Sequence, residues 1–212
     1  MKRKLIALLA VAVLAGATYV LGYSTLFTVS SVEVMGSNKP ITTGITKGEK
    51  LARVEPRAIS AKIEMLDWVE SADVSRNWIN GKVVISLTPR TPIAIYKDQV
   101  IDSSGSSFVP QGEPPQGLIE INAASIEDAV KAVAFFTELP EELNSTLTVV
   151  KVRATGALVL LLENNGKKVE VRWGIDSDNE LKTKVYKALI TLPENADIKR
   201  VDVSAPHAPI VK

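Results

Sequence analysis

Trp68-Val69-Glu70-Ser71-Ala72-Asp73-Val74-Ser75-Arg76-Asn77-Trp78, continued by Ile79-Asn80-Gly81 and then Lys82-Val83-Val84-Ile85-Ser86-Leu87-Thr88, is the stretch that decides the fold. From Val69 onward it alternates, with Ala72, Val74, Arg76 and Trp78 on one side, the period-2 pattern of a half-buried strand. Asn80-Gly81 supplies the strongest short hairpin signal, because both central positions of the tight turn need positive φ. Lys82–Thr88 resumes the alternation with Val83, Ile85 and Leu87 on one face. The stretch therefore predicts an antiparallel hairpin.

Working outward, Ser30–Met35 reads as a further short strand, ended by Gly36-Ser37-Asn38. Gly44 and Gly48 limit any helix in Ile41–Val54 to a short one. Pro56 suits the first turn of a helix, where its missing N–H leaves nothing unpaired. Ile59, Ile63 and Leu66 follow as one apolar stripe. The order is strand, helix, helix, strand, strand. Downstream, Pro92–Val109 holds the apolar Ile93-Ala94-Ile95-Tyr96 and the turn Asp102-Ser103-Ser104-Gly105, and Gln111–Gly117 is a loop by composition.

A second α/β pattern follows. Ser125 to Asp128 starts a helix in the manner of a capping box, and Ile126, Ala129, Val130, Val133 and Phe136 form its apolar face up to Pro140. Strands are predicted at Leu147–Arg153, Ala157–Glu163 and Lys167–Trp173, joined by turns at Ala154-Thr155-Gly156 and Asn164-Asn165-Gly166. In the third, Val169, Val171 and Trp173 point one way and Lys168, Glu170 and Arg172 the other. Asp178–Leu192 reads as a helix facing the core with Leu181, Val185, Ala188, Leu189 and Leu192. Asp197–Ser204 is expected as the last strand.

The N-terminus carries a different signal. Leu5 to Tyr23 is a run of 19 residues without a charge. As a helix it would span roughly 28 Å, close to a bilayer's hydrocarbon thickness. Lys2, Arg3 and Lys4 precede it and the next basic residue is Lys39, so the positive-inside rule leaves the N-terminus in the cytoplasm and exports the rest. A cleaved signal peptide is the rival reading, with Ala15-Gly16-Ala17 as the small-x-small site. The apolar run continues past that site through Thr18-Tyr19-Val20-Leu21, which favours an uncleaved anchor.

The charge balance narrows the function. The chain of 212 residues carries 25 Lys and Arg against 24 Asp and Glu. Without Lys2, Arg3 and Lys4 the remainder holds 22 positives, a nearly neutral surface with no electrostatic footprint for nucleic acid. There is no cysteine and one histidine, His207, in a Pro-flanked tail. Thiolate and imidazole metal sites lack ligands, and no phosphate-binding or nucleophile-elbow motif is present. The acidic pairs Glu127/Asp128, Glu141/Glu142 and Asp176/Asp178 lie at expected helix starts or a helix–strand loop, where carboxylates favour the helix dipole and water. Trp68, Trp78 and Trp173 lie in or beside strands, where core packing is the default. No catalytic, cofactor-binding or metal-binding residue is assigned.

The residues taken together resemble the FtsQ/DivIB family of bacterial cell-division proteins, of an actinobacterial type. The resemblance rests on Phe27, Ser31-Val32-Glu33-Val34 and Gly36, on Trp68 to Trp78, and on Val83-Val84-Ile85, Arg90 and Pro92-Ile93-Ala94. Ile101-Asp102 with Gly105 and Phe108, Val171-Arg172-Trp173-Gly174, Leu181-Lys182, Leu189 and Val201-Asp202-Val203-Ser204-Ala205-Pro206 complete it, in the family's order. Two positions depart from the pattern: Ile79 follows Trp78 where members often carry Pro, and Pro89 precedes Arg90 where they often carry Glu. The resemblance implies an α+β chain: a cytoplasmic tail at 1–4, a transmembrane helix at 5–23, a POTRA-like β-α-α-β-β domain at 27–96, a second α/β domain of FtsQ type at 97–204 with a mainly antiparallel sheet, and a tail at 205–212.

It also implies a non-enzymatic, single-pass scaffold of the division septum, without cofactor or small-molecule substrate, that docks the small coiled-coil proteins FtsB and FtsL and helps control septal peptidoglycan synthesis. The partner-binding positions carried over are Arg200, Val201, Asp202, Val203, Ser204 and Ala205, on a last strand expected to lie open at the sheet margin. Val74, Arg76 and Trp78 are the expected POTRA contact with other septal membrane proteins. The alternative from a different class is a secreted cell-wall hydrolase or carbohydrate-binding protein with a cleaved signal peptide.

Overall fold

A computed structural model describes residues 2–23, 26–37, 40–110, 112–164 and 166–212. Asn38, Gln111 and Asn165, at which the sequence places turn or loop positions, lie outside the described residues. The chain divides into two compact units, Met1–Arg90 and Thr91–Lys212.

The first unit begins with helix α1, Lys2–Tyr23, of 22 residues. Its side chains are described over residues 4–20 and are exposed almost throughout; Leu5, Ile6, Leu8, Leu9, Val11, Val13 and Leu14 are each at least 64% exposed. Among the described residues no helix is long and apolar enough to cross a membrane. Strand β1 (Ser31–Met35), a 3₁₀ turn at Leu51–Arg53, helix α2 (Pro56–Glu64), and strands β2 (Val69–Arg76) and β3 (Lys82–Pro89) follow. The sheet order is β1-β3-β2, with β1 parallel and β2 antiparallel to β3. Of the two expected helices only α2 is a full helix, because Gly44 and Gly48 both take positive φ and break the segment before the 3₁₀ turn. Val83, Ile85 and Leu87 of β3 pack with Val69, Val74, Leu51, Val54 and Ile63 in one core.

The second unit is built on a nine-stranded sheet. Its strands are β4 (Pro92–Tyr96), β5 (Gln99–Asp102), β6 (Ser107–Phe108), β7 (Ile119–Asn122), β8 (Leu147–Val152), β9 (Leu158–Asn164), β10 (Lys167–Gly174), β11 (Arg200–Asp202) and β12 (Ile210–Val211). Helices α3 (Ile126–Thr137) and α4 (Glu141–Asn144) connect β7 to β8, and α5 (Asn179–Ile190) connects β10 to β11. The strand order is β12-β11-β10-β9-β8-β7-β4-β5-β6. The pairs crossed by helices, β7/β8 and β10/β11, are parallel. The pairs joined by tight turns, β4/β5 and β8/β9/β10, are antiparallel, as short connections require.

Two expectations differ from the structure, and two strands are additional to them. The division falls after Arg90 and not after Tyr96: Ile93-Ala94-Ile95-Tyr96 forms β4, whose partners β5 and β7 belong to the second sheet. Strand β7 and the tail strand β12 were not foreseen, being too short to show a period. The last predicted strand, Asp197–Ser204, contracts to Arg200–Asp202 and is not the edge, because β12 returns along it.

Candidate partner-binding surface at the C-terminal sheet margin

The alternation of β10 organises this margin. Val169, Val171 and Trp173 are buried, and the Trp173 ring meets Phe135 of α3 edge-on, with centroids 5.8 Å apart. Glu170 and Arg172 therefore lie on the opposite face, in line with their partners in the parallel register, Arg200 and Asp202. Arg200 Nε donates to Glu170 Oε1 at 2.8 Å, and Arg172 Nη1 stands 3.9 Å from Asp202 Oδ2. Both pairs are partly exposed, so each adds little to stability. Their effect is to set a row of alternating charge across β10 and β11.

Val201 and Val203 face the core and are wholly buried. Of the six residues proposed from sequence, Val201 and Val203 are thus packing residues. Arg200, Asp202, Ser204 and Ala205 are at least partly exposed. Asp202 Oδ1 accepts from the Ser204 amide at 3.0 Å and from its hydroxyl at 2.6 Å, which turns the chain out of β11. The Ala208 amide then donates to the Ala205 carbonyl at 2.9 Å. The chain comes back as β12, which pairs Val211 with Val201 and Ile210 with Asp202. The last residue closes the pairing: the Arg200 amide donates to the Lys212 carbonyl at 3.0 Å, and the Lys212 amide to the Arg200 carbonyl at 2.9 Å. The margin of the sheet is thus the two-residue strand β12, with Ile210 55% exposed. Beside it, Arg153, Leu158, Val159, Arg172, Asp202 and Ser204 line a shallow hollow of about 220 Å³.

The loop from β10 to α5 braces the end of β11. Gly174 has φ +80°, and a Cβ there would lie 2.8 Å from the Ser204 Cβ. Asp178 follows at φ +53°, a left-handed conformation that Asp tolerates better than most residues. Trp173 Nε1 donates to Asn179 Oδ1 at 2.8 Å, and Asn179 Nδ2 to Asp176 Oδ1 at 2.6 Å. Lys182, 1% exposed, reaches back to donate to the Ile175 carbonyl at 2.7 Å. Burial holds its ammonium below the ordinary lysine range, an effect opposed by Asp178 and Asp176. The stripe read from sequence through Leu181, Val185, Ala188, Leu189 and Leu192 holds in part: Val185 and Leu189 pack against the core, while the residues α5 buries fully are Lys182, Thr183 and Tyr186. A lysine at a core position defeats apolar periodicity, so the pattern gave no signal for it.

The proposed POTRA contact turns inward. Val74 is buried. Arg76 Nη1 donates to the carbonyls of Leu51 (2.9 Å) and Val54 (2.6 Å), and its guanidinium lies 5.2 Å from the centre of the Trp78 ring. Trp78 in turn meets Phe27 edge-on at 6.1 Å. Arg76 thus fastens the 3₁₀ turn to the sheet, with Trp78 stacked on its guanidinium. The residues β2 exposes are Glu70, Ser71, Asp73 and Ser75.

The acidic pairs have structural partners. Ser125 Oγ caps α3 by accepting from the Asp128 amide at 3.2 Å. Glu142 meets Lys187 at 3.1 Å, and that lysine holds its carboxyl below the usual range. Among the described residues no three His, Cys, Asp or Glu side chains are grouped to hold a metal ion. His207 is exposed in the turn before β12.

The two units together define a class of protein in which a POTRA domain precedes a sheet domain of the FtsQ/DivIB type. The sequence pattern described as "POTRA domain, FtsQ-type" matches residues 27–90, and "Cell division protein FtsQ/DivIB, C-terminal" matches residues 93–204. The chain is 30% identical over 166 residues to the cell division protein FtsQ of Corynebacterium glutamicum, covering 71% of this chain and 73% of that one. It belongs to the FtsQ/DivIB family of cell-division proteins. Both matched ranges break between Arg90 and Ile93, where the structure divides. That membership does not favour the reading as a secreted hydrolase or carbohydrate binder.

Proposed function

We propose that this protein is a non-enzymatic, membrane-anchored adaptor of the division septum that docks FtsB- and FtsL-like coiled-coil proteins at the C-terminal margin of its second sheet. The observation that carries the reading is the margin itself. β12 contributes only two residues, has no strand on its outer side among the described residues, and presents Ile210 next to a row of charge. An incoming strand extends such an edge through backbone hydrogen bonds while side-chain pockets set its identity.

The docking surface is then β12, the partly exposed Arg200 and Asp202, the exposed Ser204, and the hollow between Arg153 and Arg172; Val201 and Val203 act from beneath as packing. For the POTRA unit, the contact with other septal proteins is assigned to the edge of β2, through Ser71, Asp73 and Ser75, with Val74, Arg76 and Trp78 supporting that strand from the core side. Anchoring is assigned to α1. Its uncharged run from Leu5 to Tyr23 forms a continuous helix with exposed apolar side chains, and a lipid environment is the cover that suits them.

The test is a capture from native membranes with tagged full-length chain, reading bait mass and prey together. Retention of the N-terminus under alkaline carbonate, with coiled-coil division proteins captured, is the expected result. A bait that begins near Thr18 and is recovered from the medium without them rejects the reading.

A further inference from the structure

We infer that the β2–β3 hairpin tip of the first unit is a second membrane contact, seating Ile79 and its neighbours in the lipid interface beside the point where α1 ends. The inference rests on the anchor reading of α1.

Ile79 is 98% exposed, at the tip of the hairpin. It is held there by the turn. Asn77 Oδ1 accepts from the amides of Ile79 (3.0 Å) and Asn80 (3.3 Å), and the Gly81 amide donates to the Asn77 carbonyl at 2.9 Å. The tip is also fastened to the chain that leaves α1. The Ser30 amide donates to the Gly81 carbonyl at 2.8 Å, and its hydroxyl to the Asn80 carbonyl at 2.7 Å. Gly81, at φ +72°, lies so close to the Thr28 carbonyl that a Cβ would collide with it. Phe27 packs edge-on against Trp78.

Leu26, 76% exposed, follows Tyr23 by three residues, a reach of at most about 11 Å. An anchor that ends at Tyr23 therefore delivers Leu26, Phe27, Trp78 and Ile79 to the membrane surface as one group. The composition fits that depth: two aliphatic tips, and two half-buried aromatic rings of the kind that favour the headgroup boundary. The Leu51 amide donates to the Phe27 carbonyl at 3.0 Å, which ties the 3₁₀ turn, with its exposed Arg53, to the same stretch of chain. The unit would then stand on two points, with β2 rising away from the bilayer.

The chain has no cysteine, so single labels are clean. Full-length Ile79→Cys and Met65→Cys, each carrying an environment-sensitive fluorophore, are placed in phosphatidylethanolamine–phosphatidylglycerol nanodiscs at one chain per disc. Met65 is 80% exposed and lies beyond the other end of β2, so it serves as the comparison. The expected result is blue-shifted emission at position 79, quenched by a shallow lipid-borne nitroxide and protected from aqueous iodide, with water-like emission at position 65. Equal iodide quenching at the two positions, in a chain that resists alkaline carbonate extraction, overturns this inference and leaves the anchor standing. A chain that carbonate removes overturns both. Shielding at 79 that appears only when several chains share a vesicle assigns the tip to a second copy and overturns the lipid contact.

Discussion

The Lys182 ammonium donates to the Ile175 carbonyl at 2.7 Å from a side chain that is 1% exposed, so one buried cation holds the loop that runs beside Ser204. Lys182→Met keeps the length and loses the charged donor, leaving the Ile175 carbonyl with the Ser177 amide as its remaining donor. The expected loss is about 2 kcal/mol, the range for a hydrogen bond to a charged group, read by denaturant unfolding of the full chain in detergent. The pH dependence gives a second signature. With its folded pKa below 10.5, Lys182 binds fewer protons folded than unfolded in the interval just under that value. Stability should therefore rise with pH through that interval, and the rise should be absent from Lys182→Met. An unchanged pH slope would contradict the burial of the charge.

Tyr186 acts in the opposite direction. Burial pushes its phenol up to about 12 from 10.0. The folded state keeps the proton that the unfolded chain loses, so its contribution is full below pH 10 and is lost as pH rises toward 12. The fall should reach about 3 kcal/mol at most. Tyr186→Phe should flatten it, as followed by unfolding midpoints between pH 9 and 12.

At the proposed docking margin two substitutions should separate folding from binding. Val201→Asp places a charge at a wholly buried position and should cost about 3–5 kcal/mol, unfolding the second unit. Ile210→Asp, at a 55% exposed position, should change stability by about 0.5 kcal/mol or less while reducing capture of the coiled-coil partners severalfold. Unaltered capture by Ile210→Asp would move the docking site away from β12.

Gly174→Ala tests the brace behind that margin. The substitution combines a left-handed backbone with a contact against Ser204. It should cost about 1–3 kcal/mol, and because the displaced residue is Ser204, partner capture should weaken with it. The pair of readouts, thermal unfolding and pulldown, distinguishes this from a change at a distant glycine.

Arg76→Met should loosen the first unit by about 2–3 kcal/mol, since two carbonyls lose a charged donor. If Arg76 instead served only a partner, melting would be unchanged and capture alone would fall.

Sequence by itself determined the elements whose residues repeat with one period over several turns or pleats. The β2–β3 hairpin, α2, α3 and the inward face of β10 were legible because burial of one face imposes alternation or a helical stripe on the chain. The start of α3 was legible because a helix's first amides need an acceptor, which Ser125 supplies. The ordered motifs from Phe27 to Pro206 placed the chain in its family, as the matched ranges bear out. Tertiary structure alone decided the rest. Strands of two to four residues, β7 and β12 among them, exist because neighbours offer them hydrogen bonds, and no period can announce them. β11 lost its place at the edge for the same reason. Ile93–Tyr96 joined the second sheet because its partners lie there, although its sequence is equally suited to the first. Lys182 and Arg76 entered the interior because backbone carbonyls far along or back along the chain were waiting for a donor, and only the folded chain brings donor and acceptor together.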